Sequence, residues 1–419
     1  MYYALVVFFI VFAVIFAYFR MKYGFWIYQP VFHCYDIYYM VFPPGIIMHE
    51  LPKKNKYTNF KDISTRIIAQ IDKNDVSKFM HIIKANYLRN GDNVFSPKER
   101  NVISYFIGHN HPCFISFYTE QELLNDEKNS QIIEQDKVIG TMTTRPLLVS
   151  IKQGVSTSKS NTESETESKE ENNRLDFTVY YADYLCVDKS KRKQGIAPQI
   201  IQTHEYIQRH MNTNVVVSLF KKEDELTGIM PMCIYKTYGF PVDKWRKPCP
   251  LIATHSVVEI GTKNMYLLMD FIKENVHQFD MFIMPETANI VEFVKTENIF
   301  IHMIVSANKE RIVAVYFLKK SNTFIERDKE ILSCFGSIQS EHDDECNDEL
   351  FIQGFKIAFW NVANQHKFGY AAIEHISHNW KLIDNISLKT KAEIVSPSAY
   401  FFYNFACPTF KSERTLVID

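Results

Sequence analysis

The hydrophobic pattern of the chain opens with an uninterrupted apolar run, Tyr2 to Phe19, with no charge before Arg20. About 18–20 apolar residues suffice to cross a bilayer as a helix. Tyr2, Tyr3, Tyr18 and Tyr23 flank the run as interfacial aromatics do, and neither a basic start nor a small-residue cleavage site marks a secretory signal. The expectation is a retained anchor over residues 1–22, contacting a membrane through residues 2–19. Arg20 and Lys22 then place the rest of a single-pass protein in the cytosol. Beyond it the pattern alternates between periods of 3.6 and 2. Asp75–Tyr87, Pro198–His210, Met265–Asn275 and Glu349–His366 carry helical spacing, the first with Asp75 or Ser77 as cap. Lys137–Met142, Phe177–Val187, Asn214–Phe220, Ile299–Val305, Ile312–Leu318 and Tyr400–Phe405 read as strands. Two stretches break the pattern: Lys152–Arg174, rich in Ser, Thr and Glu, reads as a disordered insertion, and Ser337–Glu349 as a solvated acidic loop. The chain is expected to be α+β, in two similar halves dividing near residue 250 (23–250 and 251–419).

Composition narrows the function. Lys and Arg number 47 against 48 Asp and Glu, so the chain lacks the basic excess of a general nucleic-acid binder. The 8 cysteines are scattered without CxxC or zinc spacing, which favours free thiols in a reducing compartment and no metal. His375 and His378 lie one helical turn apart without an acidic frame. No Walker loop and no GxSxG elbow occurs.

The most informative local feature is Tyr184–Pro198, YLCVDKSKRKQGIAP. A strand ends, a basic loop follows, and Gly195 and Ala197 open a helix. Small residues admit a ligand close to the backbone, and a helix N-terminus offers free N–H groups with partial positive charge. Arg192-x-x-Gly195-x-Ala197 has the form by which the acetyltransferase (GNAT) superfamily holds the pyrophosphate of acyl-CoA; a basic turn before an amphipathic helix is the simpler alternative.

From Gly24 onward the chain resembles eukaryotic glycylpeptide N-myristoyltransferase. The similar segments occur in order: Phe25–Val31 (FWIYQPV), Asn86-Tyr87 with Asp92 and Phe95, Tyr184–Pro198, Cys233–Tyr235 followed by Phe240, Phe368–Asn379 and Tyr400–Pro408 (YFFYNFACP). The resemblance implies two tandem GNAT-like halves forming a saddle-like sheet core, an acyl-CoA half followed by a peptide half. It implies transfer of myristoyl from myristoyl-CoA, a co-substrate and not a bound cofactor, to the N-terminal glycine amine of proteins, by a chain expected to be monomeric. Gly24, Phe25 and Trp26 would contact CoA or the acyl chain. The amides of Tyr184 and Leu185 would form the oxyanion hole. Cys186, Val187, Arg192, Lys193, Gly195, Ile196 and Ala197 would hold the pyrophosphate, with Cys186 no nucleophile. Tyr87, Asp92, Phe95, Tyr235 and Asp419 would meet the peptide, and a carboxylate of Asp419, α or side-chain, would be the base. Departures fall on the peptide side: the acidic loop is Leu88–Asp92, a histidine is replaced by Thr237, and a glycine-rich turn by Val395–Ser398. Those departures leave two alternatives: another acyl chain or amine, or a degenerate binder of acyl-CoA or lipopeptides.

Overall fold

The structure is a computed structural model and describes residues 2–22, 24–88, 93–126, 131–153, 174–223, 228–243, 245–307, 311–326, 328–341 and 347–419. Residues 154–173 of the expected insertion, residues 342–346 of the expected acidic loop, and Asp92 lie outside the described residues; Lys152 and Arg174 pair at the ends of two strands, and Asp348 and Glu349 open a helix. Ser337–Gln339, expected in that loop, instead end a buried strand.

The elements alternate as the periodicity predicts. The first half runs α1 (Tyr2–Lys22), α2 (Ile37–Val41), β1 (Gly45–Ile46), β2 (Ile63–Ile67), α3 (Lys73–Asn86), β3 (Val94–Phe95), α4 (Glu99–Ile103), β4 (Phe114–Asp126), β5 (Gln131–Lys152), β6 (Arg174–Val187), α5 (Ile196–Met211), β7 (Val217–Glu223) and β8 (Cys233–Pro241). The second runs β9 (His255–Glu259), α6 (Met265–Asn275), β10 (Met281–Met284), α7 (Thr287–Lys295), β11 (Ile299–Ser306), β12 (Arg311–Ile325), β13 (Lys329–Gln339), α8 (Asp348–His366), β14 (Tyr370–Glu374), α9 (Asn379–Ser387), β15 (Ile394–Tyr403), β16 (Phe405–Ala406) and β17 (Thr415–Val417).

The N-terminal expectation is corrected. The apolar run does form a helix, α1, but no helix among the described residues is long and apolar enough to cross a membrane. The single-pass, cytosol-facing placement falls with the anchor.

Caps and buried faces explain the packed helices. Asp72, three residues before the expected cap, accepts the Asp75 N–H at 2.7 Å and starts α3, whose buried face is Phe79, Met80, Ile82 and Ile83. Asn347 does the same for α8 through the Leu350 N–H at 2.8 Å, turning Phe351, Phe355 and Phe359 into the core.

Fifteen of the strands form one large mixed sheet, and β1 and β16 pair separately, so the fold is α+β. Its main path is β17-β10-β5-β6-β7-β15-β8-β14-β13-β12-β11-β9; β4 pairs with β5 and β2, and β3 with β12. The end of the chain is woven into its first half. β15 lies between β7 and β8, and β17 joins β10, which itself pairs with β5. Helices α8 and α9 pack on β11–β14, α6 and α7 cover β10–β12, and α3 and α5 cover opposite faces of β4–β6.

Candidate active site

Two irregularities in β6 shape the site. Its parallel ladder with β7 stops at Ala182↔Phe220, although both strands continue, so a wedge opens between Asp183–Val187 and Lys221–Glu223. On the other edge the pairing with β5 steps from Thr141↔Cys186 to Thr143↔Asp183. Tyr184 and Leu185 therefore stand opposite the single residue Met142. This is a β-bulge, with one extra residue on β6 that disrupts the ladder locally. Tyr184 adopts a left-handed φ of 48°, rare for a bulky side chain. Its N–H donates to Asp183 Oδ1 at 2.7 Å, and the Tyr87 hydroxyl donates to the same oxygen at 2.8 Å. Rings of Tyr87, Phe95, Phe79 and Phe106 pack around Tyr184. Tyr87 and Phe95 thus adjoin the bulge. Burial, and then the Asp183 charge, push the Tyr87 and Tyr184 phenols well above their ordinary pKa, so both are neutral donors.

Phe25 and Trp26 lie at the β7 side of the wedge. The Trp26 ring stacks on Phe220 at 5.7 Å, Phe220 stacks on Phe401 at 5.3 Å, and Phe25 meets Trp26 and Tyr57 edge-on. Half-buried Gly24 precedes them. Gln29 fixes this segment, donating to Gln202 of α5 at 3.0 Å and accepting from the Tyr403 hydroxyl of β15 at 2.7 Å.

The loop after β6 is built to present backbone. Arg192 does not point out as a free cation: its guanidinium donates to the carbonyls of Val187 (3.2 Å) and Asn86 (2.9 Å), tying the loop to α3. Lys191 pairs with Glu120 at 2.6 Å. Lys193 and Gly195 have positive φ, 65° and 79°, and both are exposed. Gly195 caps α5, and a Cβ built on it would meet nothing within 4 Å. The amides of Ile196 and Ala197 follow in the first turn of α5, where intrahelical acceptors are missing. Cys186 and Val187 are buried behind the loop, and burial pushes the Cys186 thiol up to about 12, too high for a thiolate nucleophile.

Across the wedge the chain ends inside the protein. Leu416, Val417 and Ile418 are buried, the Ile418 N–H donates to Ile283 at 2.8 Å, and Asp419 is 4% exposed. The Asp419 side chain accepts from Lys319 Nζ at 2.6 Å and from the Tyr400 hydroxyl at 3.2 Å. Burial alone would raise that carboxyl's pKa; Lys319, with Lys221 and Arg145 behind it, overrides this and holds it well below the usual carboxylate range. Tyr235, also expected at the peptide, stacks on Tyr400 at 5.8 Å. Lys221 pairs with Glu374 at 3.0 Å and lies over both rings.

Sequence reasoning missed the cations Lys221, Lys319 and Arg145, and also Asp183. Arg145 and Asp183 left a signal, a lone charge inside an apolar strand pattern (TMTTRPLLV and YYADYLCV). The lysines left none. Among the described residues no group of three or more His, Cys, Asp or Glu could hold a metal ion.

No family model and no curated protein matches the sequence. Solved structures do resemble the fold. Saccharomyces cerevisiae N-myristoyltransferase with bound myristoyl-CoA superposes with a TM-score of 0.68 at 10% identity, over 93% of this chain and 94% of that one. A second structure of that yeast protein with myristoyl-CoA gives 0.68 and 10% over 94% and 90%. A tandem GNAT protein from the clavulanic acid biosynthesis pathway gives 0.51 and 9% over 83% and 100%. At this identity the likeness lies in the fold: a mixed sheet with helices, arranged as in N-myristoyltransferase and tandem GNAT proteins.

Proposed function

We propose that this chain is an acyl-CoA-dependent N-acyltransferase that moves myristoyl from myristoyl-CoA to the N-terminal glycine amine of peptides. The observation that carries the reading is the buried last residue, Asp419, across a sheet wedge from the bulge at Tyr184 and Leu185. The fold likeness to a protein solved with myristoyl-CoA supports it. On this reading residues 23–250 form the acyl-CoA half and 251–419 the peptide half. Gly195, Ile196 and Ala197 receive the pyrophosphate, backed by Cys186 and Val187 and helped by Lys193. Arg192 holds the loop in shape, and Phe25 and Trp26, after Gly24, flank the acyl chain.

A glycine α-amine has a pKa near 7.7–8.0, so most of it is protonated at neutral pH. It must lose a proton before its lone pair attacks the thioester carbonyl. The Asp419 side chain, committed to Lys319, is a weak base; the α-carboxylate is left for the proton. Attack forms the C–N bond, the carbonyl oxygen takes the developing charge, and the Tyr184 and Leu185 amides stabilise it. The C–S bond then breaks, CoA leaves as a thiolate, and the second nitrogen proton passes to that thiolate, so the products are the amide and CoA. Tyr87, Phe95 and Tyr235 line the acceptor side, with Asp92 assigned there from the sequence.

One observation favours a second reading, an acyl-CoA or lipopeptide binder without turnover. The Tyr184 amide already donates to Asp183, and an oxyanion would have to displace that bond. The test is CoA release by the purified full chain with myristoyl-CoA and a library of glycine-initiated peptides. A variant extended by one glycine after Asp419 serves as control. Transfer that the extension abolishes is the expected result. Myristoyl-CoA binding without CoA release from any peptide would favour the binder; release with only another acyl-CoA would redefine the donor.

A further inference from the structure

Arg145 is an anomaly in this core. It is 1% exposed, and none of its Nε, Nη1 and Nη2 atoms has a hydrogen-bond partner among the described residues. An unpaired buried guanidinium is costly, so native interiors pair such charges. The other buried cations here conform: Lys319 has Asp419, Lys221 has Glu374, and Arg209 has Glu205 at 3.8 Å. The two carboxylates near Arg145 are committed elsewhere, Asp419 to Lys319 and Tyr400, Asp183 to Tyr87 and the Tyr184 amide.

The surroundings hold a charge in place without neutralising it. The guanidinium lies 5.1 Å from the ring centres of Tyr105 and Tyr181 and 5.9 Å from that of Phe293. Ring faces stabilise a cation and leave its in-plane N–H groups unused. The cage is rigid. Asn289 of α7 donates to the carbonyls of Ser104 (3.0 Å) and Ile107 (2.7 Å), clamping the Tyr105 turn to the helix that carries Phe293. The strand is also open there. The β4 ladder ends at Thr144 and the β10 ladder begins at Leu148, so one edge of β5 has no strand beside Arg145 and Pro146. Proline tolerates that gap because it has no N–H to satisfy.

Arg145 shares its sheet face with the chain terminus. Leu147 and Val149, two and four residues on, pack in one cluster with Val417, two residues before Asp419. Following the ladders Val149↔Ile283↔Val417, the Arg145 and Asp419 backbones are about 12 Å apart at 4.8 Å per strand and 3.3 Å per residue. Less the arginine's own reach, that gap is one or two peptide units. The pyrophosphate loop is remote from it: Arg145 lies about 17 Å along β5 from Gly140, which pairs with Val187 at the loop.

We infer that Arg145 receives a carboxylate of the acyl acceptor, so that the preferred acceptor is a glycine-initiated peptide with an acidic side chain within a few residues of its reactive amine. A planar fork of donors suits a carboxylate, and a charge-assisted pair out of water discriminates strongly against the isosteric amide. The inference rests on the acyltransferase reading for the identity of the acceptor, but its test does not need turnover.

The test compares synthetic peptides Gly-x-x-x that carry Glu at the second, third or fourth residue with the same peptides carrying Gln. Two readouts are taken on the full chain with myristoyl-CoA present: CoA release, and peptide affinity by calorimetry. At one position at least the Glu peptide is expected to exceed its Gln twin by roughly 10- to 100-fold in affinity or kcat/KM. Arg145→Met should erase that ratio while leaving myristoyl-CoA affinity within about 3-fold. Arg145→Lys, which keeps the charge and loses the fork, should retain part of it and serves if the methionine variant does not fold. Equal binding of all Glu and Gln twins overturns the inference, as does a preference that survives Arg145→Met. Selective binding of the Glu peptide with no CoA release sinks the enzyme reading and leaves the carboxylate site standing.

Discussion

At the scale of single residues, the site depends on a buried carboxylate and the lysine that pairs with it. Lys319 holds the Asp419 carboxylate, and without it that group keeps only the Tyr400 hydroxyl. Lys319→Met should therefore lower stability by about 3 kcal/mol at pH 7, the range found when one member of a buried pair is removed. The pH dependence has a definite sign. Asp419 has its folded pKa pushed below its unfolded value, so its contribution is present above about pH 4 and fades as pH falls toward the folded value. The gap in unfolding free energy between wild type and variant should narrow below pH 4. A gap constant from pH 7 to pH 3 would assign the loss to packing. Asp419 was legible in the sequence only through the family resemblance, because a chain end with one acidic residue carries no pattern of its own. Lys319 was not legible at all: it belongs to β12, and only the sheet brings it beside a residue 100 positions away.

At the scale of elements, α5 serves two purposes. Its N-terminus, with Gly195, is the pyrophosphate candidate; further along, Glu205 and Arg209 are buried together beside β7. Burial pushes the Glu205 carboxyl up to about 7, and Arg209 and Ser218 only partly oppose this. A carboxyl whose folded pKa is raised binds its proton more tightly in the native state. Its contribution is present below its unfolded pKa and is lost as pH rises through the folded value, here between about 4.5 and 7. By linkage the loss amounts to about 3 kcal/mol. Glu205→Gln, neutral at every pH, should remove that decline, read as melting temperature from pH 5 to 8; an unchanged profile would place the titration elsewhere. The long helices and central strands were legible because their periodicity is strong, and Tyr184–Ala197 because turn, glycine and helix start follow in sequence. The bulge and the wedge were not. A one-residue register slip in β6 exists only relative to β5, and the loss of pairing after Ala182 only relative to β7.

For the molecule as a whole, the decisive fact is that its end is part of its sheet. β17 pairs with β10, β10 with β5, and β5 with the bulged strand, so stability and proposed chemistry share one run of strands. Two truncations separate them. Removing 415–419 deletes the buried Leu416, Val417 and Ile418 and bares the edge of β10. With at least 2 kcal/mol for each large buried side chain lost, the cost is about 6 kcal/mol or more, and the chain should be unfolded or insoluble. Removing Asp419 alone keeps β17 and should leave a folded protein, less stable by the unpaired Lys319. Its terminal carboxylate would then belong to Ile418. That group would lie about 3.3 Å back along the strand from the place the Asp419 α-carboxylate holds. If the α-carboxylate takes the amine's proton, CoA release should fall by roughly 10²- to 10⁴-fold while myristoyl-CoA still binds. A folded protein lacking Asp419 that keeps its rate would show that the proton leaves by another route and that burial of the terminus serves the sheet alone.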